Sequence, residues 1–342
     1  MRNDPALLAL LCCPTCRGDL KVCQADESAS DGHIMRGRLK CVGCGTTYPI
    51  LGGVPRFLPG EVTDQVSTTV EGFGYQWQHA RAAIEETRFT AAETFLDFIA
   101  PVKPDYFQGK TVLDGGCGSG RFTYWAQQFG VAAIVGVDLS DSVYVAFQKT
   151  RCFPTVLIVQ ADLLKLPLRQ AFDYAFSVGV LHHTANPRAA FDAITALVKP
   201  GGGVSAWVYG RENNGWIIRF VNPLRRHITS RLPRPVLHML AYLITVPLFL
   251  VLKAIYRPVG SRPRLAQLRK YLFYFDYLYF LSAFGFREQV LIVLDHLIPT
   301  IAEYIPRVEF EQWFTENALR EVVITSRTGN SWRGFGVRAA GE

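Results

Sequence analysis

The sequence predicts an α/β fold built on an open, mainly parallel sheet, and three observations carry that reading. The first is the run Thr111-Val112-Leu113-Asp114-Gly115-Gly116-Cys117-Gly118-Ser119-Gly120, in which an apolar strand gives way to a glycine loop and then to a helix opening at Arg121. The second is the recurrence downstream of short apolar strands separated by helix-length segments, the pattern of βαβ units. The third stands near the start, where Cys13-Pro14-Thr15-Cys16 and Cys41-Val42-Gly43-Cys44 are separated by 24 residues, the spacing of a small ribbon stapled by a metal.

Glycines at 116, 118 and 120 let the chain turn tightly and bring its backbone against a ligand. The following helix aims free N–H groups at the same place. Asp138 lies 18 residues after Gly120, at the end of a second apolar strand (132–137), where a carboxylate accepts both hydroxyls of a ribose. Together these predict a nucleoside-containing cofactor. A third strand (156–159) runs into Gln160-Ala161-Asp162-Leu163, and a fourth (173–178) into Gly179-Val180-Leu181-His182-His183. A helix (187–198), the turn Lys199-Pro200-Gly201-Gly202-Gly203 and a fifth strand (204–209) follow. Beyond a long insertion come a helix (309–319), a strand (321–326), a turn at Thr328-Gly329-Asn330 and a last strand (332–337).

In that order the motifs over roughly residues 95–210 resemble the class I S-adenosylmethionine-dependent methyltransferases. The resemblance implies a Rossmann-like, seven-stranded sheet completed by the C-terminal hairpin, and S-adenosyl-L-methionine as cofactor. It assigns the methionine part of the cofactor to the loop of Asp114, Gly115, Gly116, Gly118 and Gly120, and the ribose to Asp138 with Leu139 beside it. Asp162 and Leu163 take the adenine, one through its exocyclic amine and the other by packing, and Gly179 is counted with them. Helix capping is the plainer reading of either acid. A dehydrogenase uses the same loop, strand and acid, but this loop is G-x-G-x-G and carries no glycine at 121.

The paired C-x-x-C knuckles predict a four-thiolate zinc site of Cys13, Cys16, Cys41 and Cys44, with a hairpin tip between them at Asp26 to Gly32. A domain of about 60 residues has little core, so metal supplies much of its folding energy. The other four cysteines, at 12, 23, 117 and 152, show no pairing spacing, and Leu7 to Leu11 is too short for a secretory signal, so a reducing, cytoplasmic setting is expected. The ribbon, with Thr47-Tyr48-Pro49-Ile50 and Gly52-Gly53-Val54-Pro55-Arg56-Phe57-Leu58, resembles the Trm112-like domain, a separate partner of several RNA and protein methyltransferases. Fused here, it implies docking or stabilisation. Between ribbon and core runs Glu71-Gly72-Phe73-Gly74-Tyr75-Gln76-Trp77-Gln78, too aromatic for a bare linker. Two roles are open: closure over the cofactor with Tyr75 or Trp77 near the methyl donor, or an apolar staple on the domain surface. The expected layout is therefore a zinc ribbon (1–60), an aromatic cover (61–94), the cofactor half (95–210), a basic apolar helical insertion over the substrate (211–300) and a C-terminal helix and hairpin (301–342).

The chain of 342 residues is 49% apolar, ample for a buried core, and carries a formal charge of +7 that is unevenly placed. Residues 211–270 hold twelve Lys or Arg against the single acid Glu212, giving +11 and leaving the rest of the chain at −4. Inside this segment lies an uncharged stretch from Pro235 to Leu252, bracketed by Arg231, Arg234, Lys253 and Arg257. Its 18 residues are near the lower limit for a bilayer of about 30 Å. A helical insertion buried against the domain is preferred, ahead of helices lying on an anionic membrane face and of a true span. Tyr271-Leu272-Phe273-Tyr274-Phe275-Asp276-Tyr277-Leu278-Tyr279-Phe280 then offers rings for an apolar acceptor pocket or for packing between helices.

His182 and His183 are the titratable groups after strand four, so one of them is the candidate base for a substrate hydroxyl. The plainer role is positioning, because methyl transfer needs mainly alignment. No Asn or Asp followed by Pro-Pro-Tyr or Pro-Pro-Phe, the DNA amino-methylating pattern, and no cysteine nucleophile stands there. O-methylation of a small, lipophilic or amphiphilic metabolite is therefore the expected activity, with peripheral contact at a membrane surface. An RNA or protein methyltransferase that docks through the ribbon and the basic segment is the second reading, nucleic acid ranking lower as a partner. A non-catalytic zinc-ribbon module is the third, and the intact loop argues against it.

Overall fold

The computed structural model describes residues 1–58, 92–298 and 301–340. Tyr75 and Trp77, and with them the expected cofactor cover, lie outside the described residues. In chain order the elements are α1 (Pro5–Leu8), β1 (Leu20–Ser28), β2 (Ile34–Cys41), β3 (Thr47–Leu51), β4 (Val54–Phe57), α2 (Ala92–Phe98), β5 (Thr111–Gly115) and α3 (Arg121–Gln128). Next come β6 (Ala133–Asp138), α4 (Ser142–Thr150), β7 (Val156–Ala161), β8 (Phe172–Val178), α5 (Pro187–Ala196) and β9 (Val198–Tyr209). The insertion holds α6 (Asn222–His227), α7 (Arg234–Val251), α8 (Arg257–Ser261), α9 (Phe275–Leu281) and α10 (Phe286–Leu297). The chain returns through α11 (Arg307–Glu316), β10 (Leu319–Arg327) and β11 (Ser331–Arg338).

The strands form one sheet in the order β1-β2-β3-β4-β7-β6-β5-β8-β9-β11-β10. Its last seven members are the expected Rossmann-like sheet: β7, β6, β5, β8 and β9 run parallel and β11 enters antiparallel between β9 and β10. Val112, Leu113, Ile134, Val135 and Val159 are fully buried, as strands covered by helices on both faces must be. The reversal of strand order between β5 and β8 leaves a crevice at the strands' carboxyl ends, where such sheets bind ligands.

The ribbon is welded to this sheet rather than tethered to it. β4 pairs in parallel with β7, Arg56 opposite Gln160 and Phe57 opposite Ala161. Arg17 donates to the carbonyls of Leu166 and Leu168, Asp31 pairs with Arg151 at the end of α4, and the cysteine-bearing ribbon shares one apolar core with β6, β7 and α5.

Several boundaries move. α2 runs through residue 94, so the expected edge between cover and core cuts a helix. β9 begins at Val198, because the Lys199–Gly203 glycine turn is absorbed as an irregularity in its pairing with β8. The C-terminal helix stops at Glu316, since Ala318 takes φ of 54° and Leu319 already opens β10. The largest correction concerns the insertion. Its long helix was expected to be buried against the domain, yet of its most apolar 18 residues only 22% are buried. α7 packs through Leu237 and Ala241 onto Val290, Leu294 and Leu297 of α10, and leaves its other sides exposed.

Candidate active site

The ends of β5, β6, β7 and β8 and the underside of the insertion enclose one cavity of about 290 Å³. Its first part is lined by Gly116, Gly118, Asp138, Leu139, Asp162, Leu163 and Gly179, each expected at the cofactor. The loop geometry explains the glycine at 116: φ is +87°, and a Cβ there would come within 2.3 Å of Val180. Asp138 accepts from the Gly118 N–H at 2.9 Å and from the Ser140 N–H and hydroxyl at 2.8 and 2.7 Å. Burial raises its pKa, and those donors work against the rise. A carboxylate has about four acceptor sites, so three internal donors leave room for a ribose hydroxyl.

Asp114, Gly115 and Gly120 stand behind the loop rather than along the cavity. Asp114 is fully buried, accepts from the Thr123 hydroxyl at 2.6 Å and is pushed up to a pKa of about 7 by desolvation. It therefore ties β5 to α3 and holds the loop's shape. Gly120 abuts Ala146 of α4 and Gly115 abuts Ile194 of α5. Asp162 lines the cavity and also accepts from the Leu164 N–H at 2.9 Å, so the capping role and an open face coexist.

The two histidines part company. His182 is fully buried outside the cavity lining, its ring lies 3.9 Å from that of Tyr209, and neither ring nitrogen meets a hydrogen-bond partner among the described residues. It packs, and its expected role as base is withdrawn. His183 does face the cavity, with Nδ1 2.7 Å from the Ile301 carbonyl oxygen. That contact fixes Nδ1 as the protonated nitrogen. Burial holds its pKa down to about 3 and that of His296 to about 4, with the charge of Arg225 adding to both. Neutral imidazoles of that kind orient groups and are weak bases.

The far end of the cavity gathers two rings from the aromatic run expected to line an acceptor pocket, Tyr277 and Phe280, with residues that the sequence did not flag. Asp295 and His296 come from α10, Tyr277 and Phe280 from α9, Tyr209 from β9, and Arg327 and Asn330 from the C-terminal hairpin. Tyr304 is laid beside them because Ile305 bonds back along the end of β9, its N–H 2.9 Å from the Tyr209 carbonyl. The Tyr209 hydroxyl lies 3.4 Å from Asp295 Oδ2 and the Tyr277 hydroxyl 3.2 Å from His296 Nε2. Arg121 faces the same space; burial lowers its pKa to about 10, and Asp295 and Asp114 oppose the shift. Arg327 is held by Asp97 of α2 at 2.6 Å between the rings of Phe98 and Phe280. A further local signal is the Asp295-His296 pair, which follows the apolar run Val290–Leu294 within α10, and only the fold shows which way it faces.

Residues 113–206 match the family model of a methyltransferase domain, and residues 4–53 that of Trm112p-like protein. The cofactor half is an S-adenosylmethionine-dependent methyltransferase domain, and the ribbon ahead of it is a Trm112p-like domain. Among similar proteins is the tRNA U34 carboxymethyltransferase of Pseudoalteromonas translucida, 35% identical over 113 residues that cover 32% of this chain and 34% of that one. The tRNA U34 carboxymethyltransferase of Hahella chejuensis is 36% identical over 136 residues, 36% and 39% of the two chains. The chain thus spans about a third of the length of these curated relatives. A solved complex of the Haloferax volcanii Trm112 methyltransferase activator aligns with a TM-score of 0.46 at 16% identity, covering 80% of this chain and 99% of that one.

In the Trm112p-like domain the four sulfurs of Cys13, Cys16, Cys41 and Cys44 lie within 4.8 Å of one another, with Cys13 to Cys44 at 3.7 Å and Cys16 to Cys41 at 3.4 Å. A tetrahedral zinc about 2.3 Å from each sulfur sets them about 3.8 Å apart, so the cluster fits the metal. Cys12 is not part of the cluster; its backbone N–H bonds to the Pro167 carbonyl at 2.9 Å. In the methyltransferase domain the glycine cradle and the row from Asp138 to Asp162 fit the cofactor, which when bound supplies an electrophilic methyl group.

Proposed function

We propose that this chain transfers the methyl group of S-adenosylmethionine to an oxygen of an apolar-bodied, amphiphilic acceptor. The observation that carries this reading is the wall of the cavity beyond the cofactor strands, where Phe98, Trp207, Tyr277, Phe280, Leu281 and Ile292 surround the polar end formed by Asp295, His296 and Tyr304. Rings take an apolar body, and the polar end orients the hydroxyl. Asp295 is the group best placed to accept the hydroxyl proton, with Tyr209 and Tyr277 holding its surroundings. His183 keeps its neutral tautomer and positions the acceptor. The Trm112p-like domain holds zinc through its four cysteines and supports the β7 edge of the sheet.

A second reading, methylation of RNA, is supported by the name of the relatives and by the +11 of residues 211–270. The relatives' name favours it over a small-molecule acceptor, against the ranking expected from sequence. The similarity to those relatives covers about a third of each chain, whereas the acceptor end of the cavity is built largely from the insertion and the C-terminal segment, which is why the first reading is preferred. Transfer of labelled methyl from the cofactor into cell extract, fractionated into lipid, RNA, protein and small molecules, tests both. Label in organic-extractable material is expected; label in RNA assigns the second reading.

A further inference from the structure

The insertion displays apolar residues where a water-facing helix displays charge. Along α7, Leu237, Ala241, Thr245 and, just beyond it, Leu252 are buried, while Met239, Tyr242, Leu243, Ile244, Val246 and Leu250 on the remaining sides are exposed. No charged residue interrupts the helix between Arg234 and Lys253. A helix on the surface of a soluble domain carries polar residues opposite its buried stripe, and a helix apolar all round is ordinarily enclosed. This one is neither. Phe220, Leu224 and Ile228, four residues apart, repeat the pattern one segment earlier, and Leu268, Tyr271 and Phe273 repeat it one segment later.

Charge brackets these residues with one sign. Exposed Arg219, Arg226 and Arg231 precede α7, and exposed Arg257, Arg262, Arg264, Arg269 and Lys270 follow it. We propose that this face of the insertion docks on an anionic phospholipid bilayer, α7 lying in the plane of the interface with Leu243, Val246 and Leu250 among the acyl chains and the flanking arginines at the phosphates. An apolar face rimmed by basic residues is the composition of an interfacial helix. Length alone would let the helix cross a bilayer, since Pro235–Ser261 has 27 residues at about 1.5 Å each. Crossing would strip Leu237 and Ala241 from α10, the helix that carries Asp295 and His296 into the cavity, so lying flat is the arrangement that keeps the active site intact. RNA would neutralise the arginines and leave the apolar face in water, which is why lipid is favoured. The surface goes beyond the methyl acceptor's identity, and its test uses no turnover.

The full-length protein is mixed with vesicles of phosphatidylcholine alone, or with about a third phosphatidylserine, and sedimented. Wild type is expected to sediment with the anionic vesicles and at least about tenfold less with neutral ones. Leu243→Gln with Val246→Gln, which leaves the charge unchanged, is expected to lower the anionic partition by at least about tenfold while S-adenosylhomocysteine binding by calorimetry stays at the wild-type value, showing an intact fold. Wild type remaining in the supernatant with both vesicles overturns the proposal. So does a double variant that partitions like wild type, which would reduce the binding to charge alone. Retention on bulk tRNA without any vesicle binding overturns it in favour of nucleic acid.

Discussion

Asp138 and Asp295 divide the work at the two ends of one cavity, and each can be removed separately. Asp138→Ala takes away the ribose acceptor, a charge-assisted contact worth about 1.5–3 kcal/mol, so S-adenosylhomocysteine affinity measured by calorimetry should fall at least about tenfold. Asp295→Asn should leave that affinity within about twofold and lower kcat by about 10²- to 10⁴-fold, the usual range for a lost proton acceptor. Equal kcat in the two proteins would show that alignment alone suffices. His182 gives a pH prediction because its pKa is driven well below 6.5, chiefly by burial and further by His183 and Arg225. Below about pH 6.5 the unfolded chain binds a proton on this imidazole that the native state does not. Native stability is therefore lost as pH falls through that value and is fully present above it. His182→Phe removes this dependence, so the drop in unfolding free energy between pH 7.5 and 5, read from denaturant titrations, should shrink by up to about 2 kcal/mol, with turnover retained.

At the scale of elements, the decisive contact is a short strand. β4 has only four residues, yet it joins the hairpins of the Trm112p-like domain to β7 and thereby to the methyltransferase sheet. The turn that feeds it, Gly52-Gly53, lies against α4: Gly53 has φ of +84°, and a Cβ there would come within 2.4 Å of the Phe147 ring. Gly53→Ala should therefore cost about 1–3 kcal/mol through backbone strain and overpacking together, seen as a lower Tm of the whole chain. An unchanged Tm would mean that the turn and α4 yield independently. Glycine loop, strands and acids were legible in the sequence because each strand is buried on both faces and reads as an apolar run. The orientation of α10 was not legible, because an Asp-His pair closing an apolar run has the same pattern whether the pair meets water or a cavity.

Across the whole molecule, the continuous sheet predicts that zinc supports more than the ribbon. One zinc per chain is expected by elemental analysis, and Cys41→Ser should lose it; a variant that keeps full metal content would refute the ligand set. Chelation should lower a single calorimetric transition, because β4 and the shared core couple the ribbon to β7, whereas two resolved transitions would mean that the domains unfold apart. The order of motifs determined by itself the cofactor half and the metal cluster, since a glycine loop, an acid after a strand and paired C-x-x-C knuckles are local in sequence and their geometry follows from a few adjacent residues. It also located the basic apolar insertion. Only the tertiary structure decided that His182 packs while His183 faces the cavity, that Asp295, Tyr304 and Arg327 converge with Tyr209 of β9, and that α7 turns an apolar face outward. Those facts depend on which side of each element meets its neighbours, and helix periodicity gives no distinction between an apolar side that is covered and one that is not.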